Sequence, residues 1–548
     1  MAWITETGAG SNRPADYHEL VWKIVAAATS QHVATVAVNA AGTGYVVGDV
    51  LTLTHAGAAF DARFEVTTVG GSGDITGLRI VSSGAFANRL ASAAVAAGGS
   101  GYAVGDVLEV QGGSAREKAK VVVATLSGSA VATVTVAESG GAYATPPGSG
   151  SATVGVGPNA YAGDDAATLN PTMTGLIGTT GLSVTGGTGS AATVDITLAE
   201  TGWAVDDRNT DNVSFNGVTN EKEVVLVGDA TGRTNKPYIG LTTLTRTNGL
   251  DTRYGIALHG MTAHNPAIAL SAQPALLGTP GTWSDSLPYL VGPENQAQEI
   301  DLFISIDDVR LTGVINANPG AATTTDGAYL SFYMGYLDSL ATEAEAPYPM
   351  FIHGACRSVN VDPANPSTSI SSMPEFARAT FTAPGGHYFF FSETQSWRTF
   401  EGGRLDNSGE LLGDQVIWPS QMTTPVTDPE DDEFVPESRE TIELPYDVFR
   451  TVRQAAVRRW LPIPGSTAKH YPLPFVITSR DSTTFSETLD LPVGQLRGCF
   501  WVFNSDASGN AYANFAEDYL EDGSDRYRVF QNHRNNQRYN FFCIKEDV

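Results

Sequence analysis

"GTGYVVGDVLTLT" occupies residues 42–54, and 57 residues further on, at 99–111, the chain reads "GSGYAVGDVLEVQ". In each stretch glycines stand where a tight turn demands positive φ, a tyrosine follows to cover the edge of a small core, and a Gly-Asp pair precedes a short apolar strand. The aspartate is expected to accept backbone N–H groups within its turn, after which Val50-Leu51 and Val107-Leu108 resume the strand. Gly42, Gly44, Tyr45, Gly48 and Asp49, with Gly99, Gly101, Tyr102, Gly105 and Asp106, are therefore read as structural turn residues. Calcium takes about six to eight oxygens, and one aspartate per unit is too few, so no metal and no cofactor are expected there.

The same form recurs around these stretches. "ATVAVNAAGTGY" (34–45), "TGLRIVSSGAF" (76–86), "SAAVAAGGSGY" (92–102), "ATVTVAESGGAY" (132–143) and, more faintly, "ATVDITLAETGW" (192–203) each give a strand, a glycine turn and an aromatic. Their uneven spacing argues against a calcium-binding β-helix of fixed short turns and for small β-domains in series.

Ahead of them "PADYHELVWKIVAAAT" (14–29) predicts an amphipathic helix, opened by proline, with Asp16 and Glu19 at its positive end. Its Leu20, Val21, Ile24 and Val25 stripe either packs on the first β-domain or docks on a neighbouring subunit as an assembly anchor.

After about residue 209 the alanine-glycine-valine texture gives way to aromatics, prolines and larger apolar residues. "EKEVVLVG" (221–228), "PYIGLTTLT" (237–245), "RYGIALHG" (253–260), "IDLFISIDDVRLTGVI" (300–315), "YLSFYMGYL" (329–337) and "HYFFFSE" (387–393) read as strands of a larger antiparallel, sandwich-like region. The fold class is thus mainly β, with a short N-terminal helix. The organisation expected is an N-terminal segment (1–32), a Gly/Tyr-rich repeat region (33–208), an aromatic β-domain (209–425), an acidic exposed loop (426–441) and a C-terminal β-subdomain or continuation (442–548).

Composition narrows the function. The 548 residues carry 32 basic and 59 acidic side chains, a formal charge of -27, and such a field works against wrapping nucleic acid. Three cysteines, Cys356, Cys499 and Cys543, match no zinc pattern. No apolar run reaches membrane-spanning length, so no membrane insertion is expected, and no secretory signal opens the sequence.

No His-Glu-x-x-His helix, Gly-x-Ser-x-Gly elbow, phosphate-cradling loop or Rossmann setting is present. His353 and Cys356 lie close but lack a visible orienting partner. Asp307-Asp308 and the acidic run 427–440 offer carboxylates, but their density along the chain does not establish the separation that glycoside hydrolysis requires, which leaves a polysaccharide depolymerase as the minor alternative. No catalytic residue is assigned and the chain is expected not to be an enzyme. Tyr333, Tyr336 and Trp397 are the aromatic candidates for stacking on a sugar or receptor, against a competing role in the core.

The glycine repeat, "GTGYVVGDVLTLT" followed by "ARFEVTTVGGSGDITGLRIVSSGAF" (62–86), resembles repeats of structural proteins of tailed bacteriophages. The opening "MAWITETGAGSNRPADYHELVWKIVAAAT" (1–29), "AYLSFYMGYLDSLATEAEAPYPMFIHG" (328–354) and "RRWLPIPG" (458–465) also resemble phage virion proteins. The resemblance implies a non-enzymatic virion component, in the tail or baseplate, with a capsid-decoration or collar protein and a host receptor- or polysaccharide-binding protein as alternatives. It implies partners among other virion proteins, several copies of this chain, and a host surface glycan or receptor under the last alternative.

Overall fold

The computed structural model describes residues 2–7, 13–14, 17–115, 118–141, 143–156, 163–175, 177–209, 213–215, 218–220, 223–248, 251–268, 270, 273, 289–291, 300–316, 329–339, 342–344, 348–356, 376–381, 387–392, 401–405, 411–416, 473–480, 490–502, 519–522, 525–531 and 541–546. The fold is mainly β, with one short N-terminal helix among the described residues and several antiparallel sheets. Its organising feature is nesting: a barrel-like unit sits inside a second, which sits inside a large sheet.

The inner unit runs Leu90–Ala97, Val107–Val110, Lys120–Ser127, Ala130–Glu138, Ser151–Gly155 and Thr168–Met173. Its sheet order places Ala130–Glu138 beside Lys120–Ser127, then Val107–Val110, Ser151–Gly155, Thr168–Met173 and Leu90–Ala97. A bond from Val131 N to Gly98 O (2.9 Å) then draws the last strand toward the first. Leu108, Val110, Val121, Val123 and Leu169 alternate inward and are fully buried.

The outer unit repeats this path with Gln31–Thr43, Val50–Leu53, Ala62–Val69 and Ile75–Ser82. Its last two members, Leu182–Ser183 and Ser190–Glu200, lie beyond the inner unit in sequence. Gln31 pairs with Glu200 and Thr43 with Ser190, while Thr52 bridges Thr185. Both insertions leave and return at adjacent points. Arg89 N donates to Thr174 Oγ1 (3.0 Å) and Gly175 N to Asn88 Oδ1 (3.0 Å) at the inner boundary, and Thr201 Oγ1 donates to Ala28 O at the outer one.

The large sheet orders its strands Ala2–Glu6, Asp301–Ile306, Arg310–Asn316, Tyr329–Tyr336, Met350–Cys356, Tyr289–Val291, Asp251–Met261, Tyr238–Asn248, Glu223–Gly228 and Trp203–Asn209, extended from Met350–Cys356 by four further strands. Its pairings are antiparallel except the contact of Val291 with Cys356. The helix Tyr17–Thr29 lies on one face, where Leu20, Val21, Ile24 and Val25 (0, 0, 0 and 2 % exposed) share a core with Ile4, Leu226, Leu241, Leu258 and Leu302. Burial of each such side chain contributes about 1.5–3 kcal/mol.

A second sheet, built from Leu473–Arg480, Asp490–Val502, Phe541–Lys545, Asp525–Gln531 and Tyr519–Asp522, covers the other face at one end. Phe303 meets Phe530 edge-on at 5.0 Å there, and Arg497 reaches Asp307 at 3.2 Å. This pairing is the sandwich-like part of the fold.

Two expectations need correction. Residues 300–315 are a hairpin and not one strand: Asp307 Oδ1 accepts Val309 N (3.0 Å) and Arg310 N (2.9 Å), turning the chain between two fully buried strands. The helix stripe packs on the large sheet and, in the same core, against Phe60 and Ala85 of the first β-domain, and it is not a surface open to a neighbour, because its side chains are already enclosed by their own chain. The acidic run 427–440 lies outside the described residues.

Candidate functional site

The paired Gly-Tyr turns present valines to solvent. Gly42, Gly44 and Gly48 have φ of 61, 81 and 93°, and Gly99, Gly101 and Gly105 have 58, 82 and 96°. This is the left-handed backbone that excludes most side chains. At Gly42 a Cβ would also lie 2.4 Å from Ser190 O, and at Gly99 one would lie 2.6 Å from Asp164 Oδ1. Tyr45 and Tyr102 plug their barrels (3 and 4 % exposed), and the Tyr102 hydroxyl accepts Ala167 N at 3.0 Å. The other aromatics that close a strand-and-glycine unit, Phe86, Tyr143 and Trp203, are buried too.

Asp49 and Asp106 do what turn carboxylates do. Asp49 Oδ2 accepts Val46 N at 3.0 Å, and Asp106 Oδ2 accepts Ala103 N at 2.8 Å. Asp49 additionally takes Thr188 N (2.9 Å) and Thr188 Oγ1 (2.8 Å), which pins the first turn to the loop before Ser190–Glu200. These donors, the Thr188 and Val46 amides foremost, hold its carboxyl below the usual range.

The inner barrel makes the same pin with its polarity reversed: Asp164 on the late loop accepts Ser100 N (3.0 Å) and Ser100 Oγ (2.8 Å) from the early turn. Asp164 is likewise held low, by Ser100 first. Sequence reading missed Asp164, Thr188 and Ser100. The available signal was another Gly-Asp pair, Gly163-Asp164, placed away from any recognised repeat.

Beside each buried tyrosine the turn presents valines outward. Val46 and Val47 are 53 and 60 % exposed, and Val104, at the position matching Val47, is 64 % exposed. With Val50 and Val154 they are the valines exposed most among the described residues. Chemically the arrangement offers rigid backbone, satisfied carboxylates and apolar tips.

The other candidates separate. Tyr333 and Tyr336 are each 1 % exposed, and the Tyr333 hydroxyl donates to Tyr336 O (2.6 Å) while accepting Arg497 N (3.3 Å). Neither ring is available to a sugar or receptor, because the second sheet and the adjoining loops cover this region. Trp397 lies outside the described residues, and of His353 and Cys356 only the strand backbone is described. Asp307 and Asp308 serve a hairpin and a loop: Asp308 Oδ2 accepts Thr231 N at 2.8 Å.

Among the described residues no three His, Cys, Asp or Glu side chains are placed to hold a metal ion, and no helix is long and apolar enough to cross a membrane. Comparison with protein families and with curated proteins finds no match for this chain.

Proposed function

We propose that the chain is a non-enzymatic structural component of a tailed-phage virion, associated with the tail or baseplate, that works through contacts between subunits. The observation that carries this reading is the repetition of one outward motif on two rigid barrels: valine tips beside a buried tyrosine, on backbone fixed by glycine and pinned carboxylates. A surface repeated on one chain and again on every copy multiplies weak contacts into a stable assembly. The resemblance of residues 42–86 to virion repeats supplies the setting. Assembly through the helix stripe is not part of the proposal, since that stripe is consumed in the core.

The test uses particles carrying a tag at the C terminus of this chain. Label at the tail or baseplate in negative-stain images is the expected result. Label spread over the head moves the assignment to capsid decoration, and absence from assembled particles removes it. In the same particles Val47→Asp and Val104→Asp together are expected to cut incorporation at least tenfold without changing the melting temperature of the isolated chain.

A further inference from the structure

At the end of the large sheet away from Phe530, the face opposite the helix is covered by residues 262–268 together with Leu270 and Gln273. Leu270 (3 % exposed) packs with Val225 and Met261, directly above Gly240, where a Cβ would lie 2.8 Å from Leu270 Cδ2. The segment is internally braced. Gln273 Nε2 donates to Asn265 O (2.8 Å) and Ile268 O (2.5 Å), and Asn265 N donates to Gln273 Oε1 (3.0 Å).

Two polar contacts anchor it to the sheet. At one end His264 Nδ1 sits 2.6 Å from Asp206 Oδ2 and its Nε2 lies 3.8 Å from Asp207 Oδ2, with the imidazole 1 % exposed, so the contacts are ion pairs only when the ring is protonated. At the other end the Leu270 amide donates to the Glu223 carboxyl. Glu223 is 5 % exposed and its Oε1 has no hydrogen-bond partner.

We propose that this segment is a pH-sensitive strap, held shut over the sheet when Glu223 is protonated and loosened when it is ionised.

Burial first, and Asp207 second, push Glu223 up to about 7 from 4.5. A protonated Glu223 still accepts the Leu270 amide through its carbonyl oxygen, whereas an ionised one places a buried negative charge beside Asp207. Loosening the strap restores water to the carboxylate. The raised value means that closure takes up a proton: closure is favoured fully below the ordinary carboxyl range, and that advantage is lost as pH rises toward 7. From the remaining strands, Tyr238 is pushed up by burial and then by Asp206, and His259 is lowered to about 3 by burial. Both stay neutral across this range and leave the sign unchanged.

Hydrogen exchange of the intact chain tests the strap through the amides of Ile268 and Leu270, after correction for intrinsic exchange. Protection is expected to fall by ten- to about a hundredfold between about pH 5 and pH 8, the limit that a Glu223 displaced to about 7 permits. In Glu223→Gln the fall should vanish. Gly240→Ala should lower protection at both pH values by unseating Leu270. Equal protection of the wild type at the two pH values would overturn the proposal, as would an undiminished fall in Glu223→Gln.

Discussion

The two barrels share a strand path, a glycine-fixed turn and a tyrosine plug, yet they close by different means. The inner one is continuous in sequence from Leu90 to Met173, and its pin places the carboxylate, Asp164, on the late loop. The outer one is split: its first four strands end at Ser82, its last two begin at Leu182, and its carboxylate, Asp49, is on the early turn. A carboxylate and a hydroxyl can exchange sides of one contact without altering the path of the chain, because either side supplies the same donor and acceptor. What the fold conserves between its halves is the link across the barrel and not the residue that makes it.

Dividing the chain gives the largest effect. Residues 88–174 alone should unfold as one cooperative unit by circular dichroism, whereas residues 31–87 alone should show no transition, since the partner strand Ser190–Glu200 is absent. Joining Ala87 to Gly175 through a few glycines should leave the outer barrel folded, because the two ends already meet. A cooperative transition in 31–87 would show that the halves are less alike than their paths suggest.

Substitution at the glycines comes next. Gly42→Ala and Gly99→Ala combine positive φ with backbone or carboxylate collisions and should each lose about 2–4 kcal/mol in urea titrations. Gly48→Ala and Gly105→Ala have the same backbone strain but open space around the new methyl, and about 1–2 kcal/mol is expected. Equal costs at the two sites would remove the role given to crowding.

Acid should then separate the barrels. His32, at the root of the outer barrel, is lowered to about 4 by burial, which outweighs the carbonyls of Gly84 and Ala27 at its two nitrogens. A base held neutral in this way contributes stability that is complete above its ordinary value of 6.5 and is lost as pH falls toward 4. The inner segment contains no histidine, so its melting temperature should stay flat over that window while that of the outer barrel falls. His32→Asn should level the difference.

The smallest effects belong to the pins. Thr188→Val removes one hydroxyl and keeps the amide donor, so it should lower the melting temperature less than Asp49→Ala. Ser100→Ala against Asp164→Ala should show the same order. The stabilisation by Asp49 and Asp164 is present at neutral pH and disappears below the ordinary carboxyl range, since both are held low.

The turns were legible in the sequence because their causes are local: a left-handed backbone position asks for glycine, and a short sheet needs an aromatic at its edge. Nesting was not legible, since the pairing of Gln31–Thr43 with Ser190–Glu200 leaves no trace in either strand beyond ordinary alternation. The helix announced an apolar stripe but not what would cover it. Residues 300–315 misled for a physical reason: Asp301–Ile306 and Arg310–Asn316 are buried on both faces, so the alternation that separates strand from turn is gone, and the Asp307-Asp308 pair was the remaining sign of the bend. At the candidate site Asp49 and Asp106 were found, while Asp164, Thr188 and Ser100 were not, because a single polar side chain in a glycine-rich loop carries no pattern of its own.

The strand Ala2–Glu6 pairs with Asp301–Ile306, and its Trp3 and Thr5 amides on the free edge donate to Ser83 and Ser82 of the outer barrel. During translation at about 5–20 residues per second, roughly 15–60 s separate the synthesis of these two partners. Through that interval the short apolar strand containing Trp3 and Ile4 has the barrel serines among the partners already synthesised. If the outer barrel holds the first strand until its partner leaves the ribosome, a ribosome-bound chain stalled before residue 300 should show Trp3 shielded from quenchers only when Ser82 and Ser83 are intact.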